Sequence, residues 1–202
     1  MTQREIPFRK MNGLGNDFII VDARQGPLGL MPADIARIAG RETGIGCDQF
    51  IALMPGKGGA DVFMRIFNPD GSEAGACGNA TRCIADIVAH ETGKRDVVVE
   101  TIAGCLACTL NDDGTVSVDM GAPKLAWDQI PLAEEFRDTR AIELQVGPID
   151  APVLHSPAVA NMGNPHAVFF TDDLDAHDLA AIGPMLENHP VFPDRANISL
   201  AQ

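Results

Sequence analysis

The sequence predicts a mixed α/β fold, with α+β character, on three observations. Short apolar runs of strand length, such as residues 18–21, recur along the chain between turns rich in glycine, proline and aspartate. Two segments instead repeat apolar residues at helical spacing, one from Pro32 and one ending at Gly93. Near residues 121–131 the pattern weakens and prolines gather, which predicts two domains, residues 1–121 and 122–202.

In the first domain each element follows from a local pattern. A short helix begins at Pro32, because proline suits the first helical turn, and the glycines after residue 43 favour its exit. The second helix has one apolar face, formed by Ala80, Cys83, Ile84, Ile87 and Val88. Strands are predicted on both sides of a glycine turn in residues 6–23, over 49–55 and 61–67, and across 96–120 with a tight hairpin at Asp113-Gly114.

The second domain is predicted from apolar runs that resume after residue 140. Strands are predicted over 141–147, 151–161, 166–171 and 196–202, and one helix over 174–187. This domain is smaller than the first, and the chain stops directly after its last strand. We therefore expect the second domain to be incomplete.

Composition and charge limit the classes of function. The chain has 202 residues, of which 46% are hydrophobic and 21% charged, so a packed core is expected. It has no apolar run of membrane-spanning length and no apolar leader, so we expect neither a membrane partner nor secretion. The formal net charge of −13 would repel phosphate backbones and argues against a nucleic-acid partner. We expect a cytoplasmic protein whose five cysteines are thiols.

The stretch GACGNATRC, residues 75–83, places a cysteine between glycines where the second helix begins. Unpaired N–H groups and the helix dipole there favour a thiolate, so we expect the pKa of Cys77 to be lowered. The same donors could hold a carboxylate, and Gly75 and Gly78 would let a ligand approach the backbone. The alternative is a small residue tolerated in a tight turn.

The remaining cysteines raise the question of a metal or redox site. Cys105 and Cys108 form a CxxC pair, but they lie in a predicted strand, where residues three apart point to opposite faces. A four-cysteine zinc site is therefore not expected. We expect these two residues, with Cys47 and Cys83, to be small core residues.

Six motifs occur in the order found in diaminopimelate epimerases. They are MNGLGNDF (11–18), GIGCDQ (44–49), FNPDGSEAGACGNATRC (67–83), TIAG (101–104), MGNPH (162–166) and FPDRANI (192–198). From Lys10 onward the chain resembles this family. The resemblance implies two pseudosymmetric domains, each with strands wrapped round a central helix, and an active site in the cleft between them. It also implies cofactor-independent epimerisation of LL-diaminopimelate to the meso isomer by two cysteines, in lysine biosynthesis.

The resemblance also implies roles for particular residues. Cys77 resembles one of the two catalytic cysteines, and His166 resembles a histidine that tunes the pKa of the thiols. The residues that resemble substrate-binding positions are Asn16, Gln49, Asn68, Gly78, Asn79, Asn164 and Asn197. From local pattern alone, Asn16 and Asn68 could instead be turn residues, Gln49 an exposed strand-edge residue and His166 a hydrogen-bonded loop histidine. No cofactor is expected, because none of the four lysines lies in a recognisable motif for pyridoxal phosphate.

The chain also departs from the family pattern. The family supplies a Glu-Arg pair and a second catalytic cysteine, whereas no cysteine follows Cys108 here. We therefore expect a chain that binds diaminopimelate, a small amino-acid partner, but is inactive alone. Three alternatives stay open: another cofactor-independent racemase or related isomerase, a thiol hydrolase that uses His166 as its base, and an amino-acid-binding fragment without turnover. A homodimer is compatible with the sequence.

Overall fold

The computed structural model describes residues 5–75 and 77–202, so Ala76, inside the cysteine motif, lies outside the described residues. The chain forms two compact units, Met1–Met120 and Gly121–Gln202. Each unit is described by itself below. Among the described residues, no helix is long and apolar enough to cross a bilayer.

The first unit contains one large sheet. Its strands are β1 (Arg9–Gly13), β2 (Asn16–Asp22), β3 (Gln49–Pro55), β4 (Val62–Phe67), β5 (Glu73–Ala74), β6 (Asp96–Thr101), β7 (Gly104–Leu110) and β8 (Val116–Asp119). Their order is β1-β2-β3-β4-β6-β7-β8, and β5 pairs with β4. The β2/β3 and β4/β6 pairs are parallel, and the other pairs are antiparallel.

The sheet curls around helix α2 (Gly78–Thr92). Strands β1 and β8, at the two ends of the sheet, both pack against this helix, as do β4, β6 and β7. Helix α2 ends at Gly93, which has a φ of +72°, a left-handed conformation that glycine adopts without strain. The predicted mixed α/β fold with strands around a central helix is confirmed for this unit.

The sheet is buried on both faces at β2 and β3, which explains the continuous apolar runs in these two strands. One face packs on α2 and includes Phe18, Ile20 and Ile51. The other face, with Ile19 and Phe50, packs on helix α1 (Pro32–Ala39). Successive strand residues point to opposite faces, so the side chains of such a run are buried alternately in the cluster on one face and the cluster on the other.

The second unit contains β9 (Gln145–Val146), β10 (Leu154–His155), β11 (Ala158–Asn161), β12 (Pro165–Phe170), α3 (Leu179–Glu187) and β13 (Asn197–Ala201). Strands β11, β12 and β13 form one sheet in which β12 and β13 are parallel, and β9 pairs with β10. The core of this unit includes Ile130, Ile142, Phe169 and Phe192.

Three predicted elements in this unit were too long. The predicted helix over 174–187 is a single 3-10 turn, Leu174–Ala176, followed by α3, because His177 is extended and the Asp178 side chain caps a new helix at the Ala181 N–H. The predicted strand over 151–161 is interrupted at Ser156, which has a φ of +50°. The strand predicted over 141–147 is limited to β9, because the Leu144 N–H bonds back to the Ile142 carbonyl.

Candidate active site

Cys77 is the N-cap residue of α2. Its Sγ accepts a hydrogen bond from the Ala80 N–H at 3.4 Å. Its carbonyl accepts both the N–H and the hydroxyl of Thr81, each at 2.9 Å. The half-buried Cys77 side chain packs against the core around α2. This cysteine therefore has a fixed position, with its sulfur at the N-terminal end of the helix that the sheet surrounds.

The predicted direction of the Cys77 pKa was wrong. Burial raises the pKa of the Cys77 thiol above its usual value. The N–H groups of Ala80 and Asn79 and the charge of Arg82 act in the opposite direction, but their effect is smaller. The local pattern identifies the helix donors but not the desolvation, which depends on residues brought in by the fold. The protonated thiol is thus favoured at neutral pH.

The turn between β1 and β2 packs on the first turn of α2. The Asn79 Nδ2 donates to Asn16 Oδ1 at 2.7 Å, and the Arg82 guanidinium donates to Asn79 Oδ1. A Cβ at Gly13 would lie 3.1 Å from the Asn79 carbonyl oxygen, so glycine allows this close approach. The structure therefore brings Asn16 and Asn79 to the same end of α2 as Cys77.

Gln49 and Asn68 lie at the same edge of the sheet as Asn16. Asn16 and Gln49 are the first residues of the parallel strands β2 and β3. Each continues the row of alternating residues that faces α2, with Phe18 and Ile51 respectively. Asn68 directly follows β4, which is antiparallel to β3. These three amides therefore lie at the same edge of the sheet, on three adjacent strands near the N-terminus of α2.

For Gln49 and Asn68, the local sequence pattern also allowed a purely structural role, and the structure supports that role for only one of them. Strand β3 lies between β2 and β4, so the half-buried Gln49 is not on an edge strand. Asn68 is indeed a turn residue: its Nδ2 donates to the Ser72 hydroxyl at 3.1 Å, and its N–H donates to the Ser72 carbonyl at 2.8 Å. The Asn68 Oδ1 has no hydrogen bond within the part of the chain that the structure describes.

Strands β2 and β3 are joined at this edge by charged side chains. The Asp17 N–H donates to the Asp48 carboxylate at 2.9 Å, and the Asp48 N–H donates to the Asp17 carboxylate at 3.1 Å. Arg41 contacts both carboxylates at 2.7 Å, and Lys10 contacts Asp17 at 2.8 Å. Because Asp17 follows Asn16 and Asp48 precedes Gln49, this cluster fixes the backbone next to two candidate amides.

In the second unit, Asn164, His166 and Asn197 lie together. His166 of β12 is paired in register with Asn197 of β13. Its Nε2 lies 2.9 Å from Asn164 Oδ1, and the Asn197 Nδ2 donates to the Pro165 carbonyl at 3.1 Å. His166 is thus a hydrogen-bonded strand residue and not a loop residue. Burial lowers its pKa, which favours the neutral imidazole.

A thiol hydrolase would need a histidine beside Cys77. The first unit has one histidine, His90, in the last turn of α2. It is thirteen residues beyond Cys77, which corresponds to about 20 Å along a helix. The first unit therefore supplies no histidine base to this thiol.

The other cysteines mostly occupy the core. Cys47, Cys83 and Cys108 are buried, as predicted. Cys105 is exposed, so its assignment to the core was wrong; alternation along β7 that buries Cys108 turns Cys105 outward. The opposite orientation of the CxxC pair is confirmed. Within residues 5–75 and 77–202, no group of three or more His, Cys, Asp or Glu residues could hold a metal ion.

Two residues that contact this site were missed by sequence reasoning. Thr81 anchors the Cys77 carbonyl, and Arg82 holds the Asn79 amide. Both follow from helix geometry, because side chains three or four residues apart share a face. The spacing from Cys77 to Thr81 and from Asn79 to Arg82 was therefore the available signal.

Two solved structures of proteins named as epimerases share the fold of this chain. A predicted epimerase from Pseudomonas aeruginosa is similar with a TM-score of 0.59 and 15% identity, over 98% of this chain and 70% of that one. A hydroxyproline epimerase from Agrobacterium vitis is similar with a TM-score of 0.55 and 14% identity, over 90% of this chain and 54% of that one. At these identities the similarity shows the fold alone.

Sequence comparison identifies the family. A family model for diaminopimelate epimerase matches residues 8–126. Proteins named diaminopimelate epimerase from Rhodopseudomonas palustris (strain BisB5) and Nitrobacter hamburgensis are 54% and 56% identical over 196 residues, or 96% of this chain. The chain belongs to the diaminopimelate epimerase family, and the predicted resemblance is confirmed. It spans 66% and 67% of the length of these two relatives.

Proposed function

We propose that this chain carries the first half of the active site of an enzyme that epimerises LL-diaminopimelate to meso-diaminopimelate. The observation that carries the proposal is the position of Cys77 as N-cap of α2, with the amides of Asn16 and Asn79 beside the same helix end. The isomerisation belongs to lysine biosynthesis and needs no cofactor. The five unpaired thiols suit a reducing cytoplasm.

In the proposed mechanism, Cys77 is one of two acid/base groups on opposite faces of the α-carbon. One group removes the α-proton as its thiolate, and the other delivers a proton to the opposite face as a thiol, which inverts the centre. The Cys77 thiolate becomes a thiol when it takes the proton, and the reverse direction restores it. Its raised pKa makes the protonated form the resting state, so Cys77 is suited to the donor role.

The carbanion that forms between these two transfers needs charge stabilisation. The first turn of α2, at Gly78 and Asn79, offers backbone N–H groups to the α-carboxylate of the substrate. A Cβ at Gly78 would meet Met120 Sδ at 3.5 Å, so the side chain of Met120 covers this turn without crowding it. In this proposal, negative charge develops next to these donors, beside the sulfur that exchanges the proton.

The neutral amides are suited to the distal end of the substrate, which does not react. Gln49, Asn68, Asn164 and Asn197 can each donate to a carboxylate and accept from an ammonium group. His166 would act on the thiols as a neutral imidazole, since burial lowers its pKa. We also propose that the second acid/base group is absent from this chain, so the 202 residues alone would bind but not invert the substrate.

A second candidate function is binding of amino acids without turnover. It is favoured by one observation: after Cys108 the sequence offers no further cysteine. Binding and catalysis differ in their dependence on the Cys77 sulfur. A binding domain would retain affinity for diaminopimelate when Cys77 is replaced by alanine, and it would show no exchange at the α-carbon.

The test is deuterium uptake at the α-carbon of LL-diaminopimelate in D₂O. It compares the 202-residue chain, a version extended to the length of its relatives, and Cys77→Ala and Cys105→Ala variants of the extended protein. We expect uptake with inversion in the extended protein, retained in Cys105→Ala and lost in Cys77→Ala. An extended, folded protein without uptake would contradict the epimerase proposal. Inversion by the 202-residue chain alone would show that the reaction does not depend on an acid/base group outside this chain.

A further inference from the structure

We propose that Arg82 is a positioning residue that orients the Asn79 and Asn16 side-chain amides, so that Asn16 presents its NH₂ group to the ligand. Asn16 would then select a hydrogen-bond acceptor, a carboxylate oxygen, at this point of the site. The proposal rests on the proposed function for the identity of the ligand as an amino acid. The orientation itself follows from contacts within the first unit.

The orientation of the two amides depends on which of their atoms can donate a hydrogen bond. An arginine side chain carries N–H donors and no acceptor. The Asn79 atom that contacts the Arg82 guanidinium must therefore be its oxygen, Oδ1. The opposite end of the Asn79 amide is then the NH₂ group, which needs an acceptor.

The orientation of the Asn79 amide in turn determines that of the Asn16 amide. The Asn79 NH₂ group lies 2.7 Å from Asn16, and its partner atom must be the acceptor Oδ1. The remaining end of the Asn16 amide is its Nδ2. An asparagine amide alone could adopt either of two orientations. The series of hydrogen bonds from Arg82 through Asn79 to Asn16 fixes the orientation of both amides.

The Asn16 amide is free to meet a ligand. Asn16 is exposed at the start of β2, beside the glycine turn that packs on α2. In the described part of the chain, its side chain makes no hydrogen bond other than the one from Asn79. Its NH₂ group can therefore donate to a carboxylate, whereas an ammonium group offers this NH₂ group no acceptor.

Arg82 also acts on Cys77, and the two effects need to be separated. Its charge lowers the pKa of the Cys77 thiol, although burial has the larger effect. Loss of an effect on the thiol would change the chemical step and so kcat. Loss of a ligand contact made equally in the ground and transition states would raise KM and leave kcat unchanged.

The kinetic test compares Arg82→Lys and Arg82→Met in the protein extended to the length of its relatives. Lysine keeps the donor and the charge, whereas methionine keeps only the length of the side chain. We expect Arg82→Lys to resemble the wild type and Arg82→Met to raise KM for LL-diaminopimelate roughly tenfold or more, since a contact to a charged group is lost. An unchanged KM, or a fall confined to kcat, would overturn the proposal.

A second test does not require turnover or a stable variant. In the ¹⁵N-labelled 202-residue chain, the Asn79 NH₂ protons should exchange with water more slowly than those of Asn16, because only the former are bonded within the protein. Glutarate, a dicarboxylate, should shift the Asn16 NH₂ signals, and pentane-1,5-diamine should not. The reverse order of exchange, or a response to the diamine alone, would overturn the orientation of Asn16. If the extended wild type did not turn over diaminopimelate, the epimerase proposal would fail, while these measurements would still test the orientation of the Asn79 and Asn16 amides.

Discussion

The thiol of Cys77 is subject to two opposing effects. Its place at the N-cap of α2 gives it the N–H groups of Asn79 and Ala80, which favour the thiolate. Its packing against the core around α2 removes water, which favours the thiol. Burial is the larger effect, so the pKa is raised. In the proposed mechanism, Cys77 is therefore a protonated thiol at neutral pH when the substrate binds.

The raised pKa of Cys77 predicts how its thiol reacts with an alkylating reagent. Only the thiolate reacts with iodoacetamide, so alkylation of Cys77 should be slow at pH 7 and should rise through the alkaline range. Its midpoint should lie above the value of about 8.5 for a free cysteine. Mass spectrometry of the Cys77 peptide measures the rate, and the exposed Cys105 of the same chain shows that the reagent is active. A midpoint below that of free cysteine would contradict the dominance of burial.

Single residues differ in how far the sequence predicts them. The glycine-flanked turn predicted the place of Cys77 at the start of α2, because capping depends on local chain geometry. The direction of its pKa shift and the exposure of Cys105 were wrong, because both depend on which distant residues exclude water. Arg82 was missed because its partner Asn79 is defined only after the helix register is known.

At the scale of elements, the contact between β2 and β3 is reinforced beyond its backbone ladder. The Asp17 and Asp48 carboxylates each accept the other residue's N–H, and Arg41 bridges them. Arg41 lies in the loop between α1 and β3, whose N–H groups bond to carbonyl groups at the end of α1. The cluster therefore ties the loop and two strand starts into one unit beside Asn16 and Gln49.

This cluster predicts a dependence of stability on pH. Arg41, followed by Lys10, holds the pKa of Asp17 well below its usual range. Because the folded pKa is lowered, the stabilisation is present above the unfolded value of about 3.9 and is lost as the pH falls below it. Asp17→Asn should therefore be less stable than the wild type at pH 7, and the difference should narrow below about pH 4.

Urea unfolding midpoints of the wild type and Asp17→Asn at a series of pH values measure this effect. Asp150→Asn, which removes the same charge at an exposed position, is the matched control. Arg41 is largely exposed, so solvent screening keeps the effect modest. A difference that stays constant from pH 7 to pH 3 would show that the Asp17 charge does not contribute.

Elements of the first unit were predicted more closely than those of the second. Residues 49–55 and 78–92 form β3 and α2, because their periodic patterns agree with burial on both sides of the sheet. In the second unit the helix predicted over 174–187 is divided, because Asp178 caps a new helix instead of continuing an old one. Apolar spacing alone does not distinguish these outcomes, since a side-chain cap competes locally with the helix backbone.

At the scale of the whole molecule, each unit has its own core. The first unit has two apolar clusters, one on each face of its sheet, and all of their members lie between Ile6 and Val118. The cluster of the second unit is formed by residues between Trp127 and Leu200. Each core is thus built from one continuous stretch of the chain, and the first includes the buried face of α2, with Cys77 packed against it.

The last prediction is that residues 1–120 fold without the rest of the chain. Urea unfolding of this segment, followed by far-UV circular dichroism, should show one cooperative transition. Ile84 is 0% exposed on the buried face of α2, so substitutions at this position test whether the segment forms the native core. Ile84→Val should lower the free energy of unfolding by about 0.5–1.5 kcal/mol and Ile84→Ala by about 2–5 kcal/mol. Ile102→Ala deletes the same atoms from a side chain that is 58% exposed, so its effect should stay within about 0.5 kcal/mol. Equal effects of the two alanine substitutions, or a transition without cooperativity, would show that the segment does not form this core by itself.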